Sequence, residues 1–430
     1  MTKTKKNILV FPCGSEIALE IYRSVNYSTH FNLIGASSVS DHGKFVYKNY
    51  IDGVPFINDN HFLETIKRIV IEREIDAIYP AMDSVIEILK AHEDYLGCKV
   101  VSSCYETTKI CLSKSKTYKT LSGIVKTPIV YKSAEEIQYY PVFVKPDIGY
   151  GSRGAKKIQN EELLGTHLSE FPTSIISEYI PGDEYTVDCF TDYNGNLIVV
   201  KPRKRCRIMN GISVNTKPVC DNGEFLNFAS KINSTIKFNG AWFFQVKRNS
   251  NGILTLLEIA SRFGGSSSLF RAKGINFALM SLYNTFDIPV SVIENDYDVE
   301  MDRALDNKYK INLSYNEVFV DFDDCVYLDK KEVNVELVRF LYRCINKKIR
   351  ITLLSKHNDD EFGSLDVLLK NLRIKQIFDR IIHITTEEEK YKYIDNDNSI
   401  FIDDSFAERM AVAQKCCIPV FSLDMVEVLS

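Results

Sequence analysis

Pro141-Val-Phe-Val-Lys145, then Gly149-Tyr-Gly-Ser-Arg-Gly154, then Ala155-Lys-Lys-Ile-Gln159: how this stretch is read decides the fold of most of the chain. The glycines formally match G-x-G-x-x-G. A dinucleotide site needs a strand, the glycines and then a helix inside one βαβ unit. The strand is present, but the residues after Gly154 reach Asn160 too soon to open a helix. A strand, glycine loop and returning strand fit better. Such a loop exposes backbone N–H groups that can fold over a polyphosphate, and Lys145 adds a point charge for the same anion. A plain flexible hairpin is the competing reading, and the loop alone does not choose between them.

Upstream of the loop, strand and helix patterns alternate. Asn7–Phe11 and Phe31–Ala36 read as strands, with helical spacing between them over Ser15–Val25 (Ile17, Leu19, Ile21, Val25). Phe62–Arg73 predicts an amphipathic helix, Ala77–Pro80 a short strand and Ser84–His92 another helix. This alternation calls for a parallel sheet. From Tyr131 to Val200 strand-like runs (Val142–Val144, Ile175–Tyr179, Tyr185–Phe190, Leu197–Val200) are broken by Gly and Asn turns, the texture of an antiparallel α+β unit. Lys308–Asn316 is polar and aperiodic and reads as a linker. From Glu317 alternation returns: strand Val318–Asp321, helix Asn334–Asn346, strand Ile349–Leu354, helix Leu365–Leu372, strand Ile381–Ile384, helix Glu387–Ile394 and strand Ser399–Ile402. The expected fold is α/β and α+β multidomain, closing with a doubly wound domain.

Composition bounds the function. A chain of 430 residues, 45% hydrophobic and 26% charged, has room for two to four globular units. A formal net charge of -4 carries no basic surplus for nucleic acid or an anionic membrane. The apolar run near the start, Ile8 to Pro12, is too short for a signal-peptide core, and nothing approaches the roughly 20 apolar residues of a membrane span. The 11 cysteines form no CxxC pair, and an odd number cannot pair completely. Reduced thiols in a cytoplasmic protein are the expectation.

Two further segments follow the glycine loop in order: Ile176-Ser-Glu-Tyr-Ile-Pro-Gly-Asp-Glu-Tyr-Thr-Val-Asp188 and Leu257-Glu-Ile-Ala-Ser-Arg-Phe-Gly-Gly265. Together the three resemble the ATP-grasp superfamily, specifically its carbamoyl-phosphate-synthase-like ligases, over roughly residues 1–300. The resemblance implies a Rossmann-like leader over 1–105 and an ATP-grasp domain over 106–312. It implies that Lys116 and Lys145 hold the nucleotide phosphates and that Gly149, Gly151, Ser152 and Gly154 belong to the lid loop. It assigns Glu178, Tyr179 and Ile180 to the adenine hinge and Glu184 to the ribose hydroxyls. Gln245 and Glu258 become Mg²⁺ ligands, with Mn²⁺ an alternative, and Arg262 stabilises the transferred phosphoryl group. The basic run Lys201-Pro-Arg-Lys-Arg-Cys-Arg207 is either a solvated charge run or, by resemblance, a second phosphate or acid contact through Lys201, Arg203 and Arg205. The chain departs from the family at Ala260, where an Asn ligand is usual; alanine binds no metal.

Val318-Phe-Val-Asp-Phe-Asp-Asp-Cys325 is an apolar strand ending in acids, and Ile400-Phe-Ile-Asp-Asp404 is another. Parallel strands bring their C-terminal ends to one edge, so Asp321, Asp323, Ser355 and Asp403 or Asp404 can converge. In a regular strand Asp321 and Asp323 point oppositely, so a turn must begin there. Clustered carboxylates repel, and a cation is needed if all stay ionised. This set resembles the haloacid dehalogenase superfamily over about 313–430, without room for a large cap. By that resemblance Asp321 is the nucleophile, Asp323 the general acid–base, Ser355 and Lys390 phosphate ligands, and Asp321, Asp323, Asp403 and Asp404 the Mg²⁺ set. Cys325 stands where Thr is usual.

The implied activity is an ATP-dependent ligase joining a small-molecule acid to an amine or thiol through an acyl phosphate. A second, Mg²⁺-dependent phosphomonoesterase site would act on a phosphorylated metabolite. A small-molecule kinase and a nucleotide-binding regulatory module are the alternatives. No nucleic acid or membrane partner is expected, and a homodimer is allowed.

Overall fold

The computed structural model describes residues 5–149, 151–304 and 307–429. Tyr150, inside the glycine loop, lies outside them. The chain falls into two compact units. The first runs to Leu269 and adds Asn276–Ser291 and Glu300–Asn307; the second takes Phe270–Ile275, Val292–Val299 and the chain from Lys308.

The first unit begins with five parallel strands in the order Asn49–Ile51, Phe31–Ala36, Lys6–Phe11, Ile75–Pro80, Lys99–Val100. Ile8, Leu9 and Val10 are all fully buried. A parallel sheet is covered on both faces, so its central strand reads as an unbroken apolar run. Helices Glu16–Val25, Phe62–Glu72 and Asp83–Ala91 follow successive strands. Ser15 caps the first: its Oγ accepts the Ala18 N–H at 3.2 Å.

The glycine loop joins two antiparallel strands, Val142–Pro146 and Lys156–Ile158, in the register Val142↔Ile158. They belong to a four-stranded sheet with Val130–Tyr131 and Ser174–Glu178. A larger antiparallel sheet then runs Leu254–Ala260, Gly240–Arg248, Glu184–Thr191, Leu197–Met209, Ile212–Pro218. Strict alternation sorts its residues. Tyr185, Val187 and Cys189 point with Trp242, Phe244, Val246 and Ile259 into one core. Their neighbours Glu184, Thr186 and Asp188 point to the other face, which carries the polar site below.

The second unit holds five parallel strands in the order Arg380–His383, Arg350–Ser355, Glu317–Val320, Ser399–Ile402, Val420–Phe421. Helix Val335–Asn346 is capped by Asn334, whose Oδ1 accepts the Leu337 N–H at 3.2 Å. Only a two-stranded hairpin, Tyr327–Leu328 with Glu332–Val333, separates that helix from the central strand. The unit reaches outside the 313–430 expected from the sequence. Ile293 packs on its core, and the buried Asn295 side chain pairs both ways with the Val420 backbone at 2.9 and 3.1 Å.

Two expected elements differ. The supposed linker contains a strand, Asn307–Ile311, before an irregular stretch. The helix expected over Glu387–Ile394 shrinks to a 3₁₀ turn, Lys390–Tyr393. There Glu388 Oε2 accepts the Thr385 N–H and hydroxyl at 2.8 and 2.9 Å, a local alternative to the helical ladder. None of the 11 cysteines is paired. No described helix is long and apolar enough to cross a membrane.

Candidate functional site

The polar face of the large sheet is assembled by register. Gln245 sits opposite both Thr186 and Glu258, Arg203 opposite Thr186, Lys201 opposite Asp188, and Lys247 opposite Glu184. Pairing then slips, because Val246 faces Leu256 and leaves Leu257 as the extra residue of a bulge. Its freed carbonyl accepts from Lys145 Nζ at 2.8 Å and from the Tyr118 hydroxyl at 2.7 Å, while Lys145 also donates to that hydroxyl at 2.9 Å. Lys145 is 8% exposed. Burial pulls its ammonium down from 10.5 to about 8, against the opposing pull of Glu258 and Glu184.

The second phosphate lysine expected from the sequence is Lys116. Lys116 is exposed on helix Lys114–Leu121, whereas Lys114 is buried beside the cluster. Its Nζ donates to the Asp147 carbonyl at 3.3 Å. Burial lowers its affinity for a proton, Glu258 restores part of it and Lys145 lowers it again. The signal was in the sequence: Thr117, Tyr118 and Leu121 follow Lys114 at helical spacing and are buried with it. Asp147 pins this helix start, accepting the Ser115 N–H and the Ser113 hydroxyl, each at 2.7 Å.

Glu258 and Gln245 present one carboxylate and one amide oxygen side by side, hard donors suited to Mg²⁺ with phosphate oxygens completing the shell. Ala260, two residues on and on the same face, adds nothing. Arg262 does not stand alone. Asp83, which the sequence reading missed, takes its Nε at 2.9 Å and Nη2 at 2.8 Å, and Nη1 donates to the Phe263 carbonyl at 3.2 Å. Burial disfavours the guanidinium charge, but Asp83 more than offsets it.

Lys201–Arg207 is solvated only in part: Arg207 is exposed, whereas Arg203 is buried. It lies within a thirteen-residue strand that turns Lys201, Arg203 and Arg205 to the polar face. Arg205 Nε meets Glu184 at 2.8 Å. Arg203 Nε meets Asp188 at 2.6 Å, both buried, and Asp188 Oδ1 and Arg203 Nη1 have no hydrogen-bond partner among the described residues. Gly264 permits this approach: a Cβ there would lie 3.0 Å from both side chains. Of the expected hinge, the Glu178 carboxylate is taken by the Ile129 N–H at 3.0 Å, the Tyr179 ring lies 4.2 Å under Lys157 Nζ, and Ile180 is buried. The glycine loop turns through positive φ at Gly151, Ser152 and Gly154, and Gly211 closes against Ser152, where any Cβ would clash at 2.2 Å.

Solved structures share this architecture. The biotin carboxylase domain of Hydrogenobacter thermophilus 2-oxoglutarate carboxylase, in complex with MgADP, superposes with a TM-score of 0.60 at 16% identity, covering 69% of this chain and 74% of that one. The first unit has the ATP-grasp fold. An L-amino acid ligase from Bacillus licheniformis shares it, with a TM-score of 0.56 at 14% identity over 70% of this chain and 80% of that one. A family described as ATP-grasp in the biosynthetic pathway with Ter operon matches residues 170–306. A D-alanine–D-alanine ligase from Fusobacterium nucleatum is 33% identical over 100 residues, 23% of this chain and 35% of that protein. The chain spans between a third and a half of the length of such curated relatives. This ATP-grasp fold is where the polar face lies.

The second unit gathers a separate set of acids at the C-terminal edge of its sheet. Regular pairing stops at Val320, and the N–H groups of Cys325, Val326 and Tyr327 all turn back on the Phe322 carbonyl. The Asp321 N–H still donates to the Ile402 carbonyl at 3.0 Å, so the required turn begins at Phe322. Lys390 Nζ lies 2.7 Å from both Asp321 Oδ1 and Asp403 Oδ2. Burial pushes Asp403 up to about 7, and Asp404 up to about 6. Asp321 is also raised by burial, against the pull of Lys390. Three acids facing one lysine leave an excess of negative charge that a divalent cation would offset. Ligand atoms of Asp321, Cys325 and Asp404 lie within 4.8 Å of one another; the two carboxylates are hard donors that fit such an ion, while the buried Cys325 thiol, held protonated by burial and the nearby acids, does not. Ser355 Oγ is buried at the end of the neighbouring strand without a hydrogen-bond partner among the described residues. Asp323 Oδ2 lies 2.8 Å from His357 Nδ1, a contact the sequence did not announce.

Proposed function

We propose that the first unit is an ATP-dependent ligase that activates a carboxylate for attack by an amine. The observation that carries this is the juxtaposition of buried Lys145 and Lys114 with the Glu258–Gln245 pair on the polar face. Lys145 and Lys114 neutralise phosphate oxygens, and Glu184 with Tyr179 and Ile180 lies where a nucleoside would be read. Mg²⁺ held by Glu258 and Gln245 shields the phosphates when bound. Arg262 commits three of its five N–H groups to Asp83 and Phe263, leaving two for the moving phosphoryl group. A carboxylate oxygen attacks the γ-phosphorus and ADP leaves. The amine then attacks the acyl carbon, phosphate leaves, and the nitrogen gives up a proton. The likeness to a D-alanine–D-alanine ligase and an L-amino acid ligase favours an amine as the acceptor. ATP-dependent phosphate release, measured against panels of acids and amines, tests the reading. A requirement for both substrates supports a ligase, turnover with one substrate makes it a kinase, and none above background leaves a nucleotide-binding module.

We further propose that the second unit is a haloacid-dehalogenase-like, Mg²⁺-dependent phosphomonoesterase. Its support is the Asp321–Lys390–Asp403 cluster beside the unpartnered Ser355 hydroxyl. Asp321 takes the phosphoryl group, Lys390 and Ser355 hold it, and Asp323 serves the leaving group. In the full chain Asp321→Asn should abolish hydrolysis of an aryl phosphate and leave ATP binding intact; persistence of hydrolysis refutes the assignment.

A further inference from the structure

The phosphomonoesterase reading leaves one buried residue of the second unit without a role. His357 is 4% exposed, two residues beyond Ser355, with its ring between those of Phe322 and Phe362. Both ring nitrogens face oxygen. Nε2 lies 2.8 Å from the Gly363 carbonyl, which can only accept, so Nε2 carries a proton and donates it. Nδ1 lies 2.8 Å from Asp323 Oδ2. The imidazole is thus fixed at one end by backbone and grips Asp323 with the other. The backbone of His357 is fixed too, because its carbonyl accepts from His383 Nε2 at 2.7 Å.

The consequence for Asp323 is asymmetric. Oδ2 is committed to the imidazole, while Oδ1 is buried and has no hydrogen-bond partner among the described residues. A buried carboxylate oxygen without a donor is costly unless a ligand completes it. We propose that His357 is the positioning residue for Asp323, holding the carboxyl rotor so that Oδ1 alone meets the leaving-group oxygen of a phosphomonoester. This rests on the phosphomonoesterase reading above. In the step it serves, an Asp321 oxygen bonds to phosphorus as the bond from phosphorus to the leaving oxygen breaks, and Asp323 gives its proton to that oxygen. Water then attacks the aspartyl phosphate, Asp323 takes the proton back, and inorganic phosphate leaves.

Positioning predicts a dependence on the leaving group. An alkoxide needs the proton and 4-nitrophenolate barely does, and a general acid contributes about 10²–10⁴-fold where it is needed. The test uses the full chain with Mg²⁺, comparing butyl phosphate with 4-nitrophenyl phosphate for wild type, His357→Ala and His357→Asn. The expected result is a loss of kcat in His357→Ala at least about tenfold larger for butyl phosphate, with the gap narrowed in His357→Asn, whose amide can still donate to the carboxylate. Equal losses on both substrates, or a gap that His357→Asn leaves unchanged, overturn the proposal while wild-type turnover keeps the phosphomonoesterase reading. A wild type that hydrolyses neither ester overturns both. Independently of turnover, ¹⁵N labelling of the seven histidines should show a His357 Nδ1 resonance that moves on Asp323→Asn while the Nε2 proton stays. An unmoved Nδ1 overturns the contact itself.

Discussion

Burial on the polar face changes the chemistry of Lys145, and its proton can be counted. Its fall from 10.5 to about 8 is caused first by burial. The difference of 2.5 corresponds to about 3 kcal/mol of cost for keeping the buried ammonium charged. The sign follows from comparing states. A lysine depressed in the folded state binds fewer protons there than when unfolded, so this cost is present below about pH 8 and is relieved as pH rises toward 10.5. A bound triphosphate reverses the balance, because an anion beside the ammonium favours its charged form. At pH 8.5 the empty site is about one-quarter protonated and the filled site nearly fully, so binding takes up about 0.75 proton; at pH 7 it takes up about 0.1. Calorimetry of MgATP binding in buffers of different ionisation enthalpy measures this number directly. Lys145→Ala should remove the uptake at pH 8.5 and weaken binding by about 1.5–3 kcal/mol, the range for a charge-assisted contact. Equal proton uptake in wild type and Lys145→Ala, or unchanged affinity in the variant, would refute the assignment.

Lys114→Ala should weaken MgATP binding at least about tenfold, while exposed Lys116→Ala should change it less than about twofold; a larger loss with Lys116→Ala in the same calorimetry would reverse the choice between them. Ala260→Asn adds an oxygen donor beside Glu258 and should lower the Mg²⁺ concentration for half-maximal nucleotide binding or leave it unchanged; a higher concentration in the variant than in wild type would instead mark Ala260 as needed for its small size. Asn295→Ala strips two buried backbone groups of Val420 and should destabilise the second unit by about 2–4 kcal/mol, seen as loss of hydrogen-exchange protection in the Ser399–Ile402 and Val420–Phe421 strands. For the same reason a 313–430 fragment, lacking Asn295 and Ile293, should be less protected there than the full chain.

Much of the architecture was legible because it obeys simple periods. The leader's alternation, the strand–loop–strand reading of Val142–Ile158 and the parallel strands from Glu317 onward follow from apolar runs and breakers, and all of these elements are present. What escaped depends on tertiary partners. Nothing local marks Phe270–Ile275 or Val292–Val299 as belonging with a sheet formed by later residues; that becomes visible only once Asn295 meets Val420. The missing helix near Lys390 failed for a local reason, since Glu388 bonds back to Thr385, yet three successive glutamates score as good helix formers. Counting 3.6 residues per turn from the buried Thr117, Tyr118 and Leu121 puts Lys114, and not the expected Lys116, on the buried face of its helix.

The two candidate sites share a physical origin in interrupted regularity. A regular strand exhausts its backbone groups in the ladder and divides its side chains between two faces. Leu257 escapes that rule through a bulge, and only then has a carbonyl to hold the Lys145 ammonium within the reach of Glu258. Asp321 escapes it by standing one residue past the end of a strand, where the chain turns and lets carboxylates from two strand ends meet Lys390. In both places the residue types were readable in advance and the interruption was not, because a bulge is a property of two paired strands. Asp83 makes the same point from the other side. It opens a helix of the leader far from Arg262 in sequence, and its role exists only because the leader and the large sheet fold as one unit. A double substitution of Asp83 and Arg262 should therefore be non-additive for MgATP turnover, with a coupling of about 1–3 kcal/mol, whereas independent residues would show none.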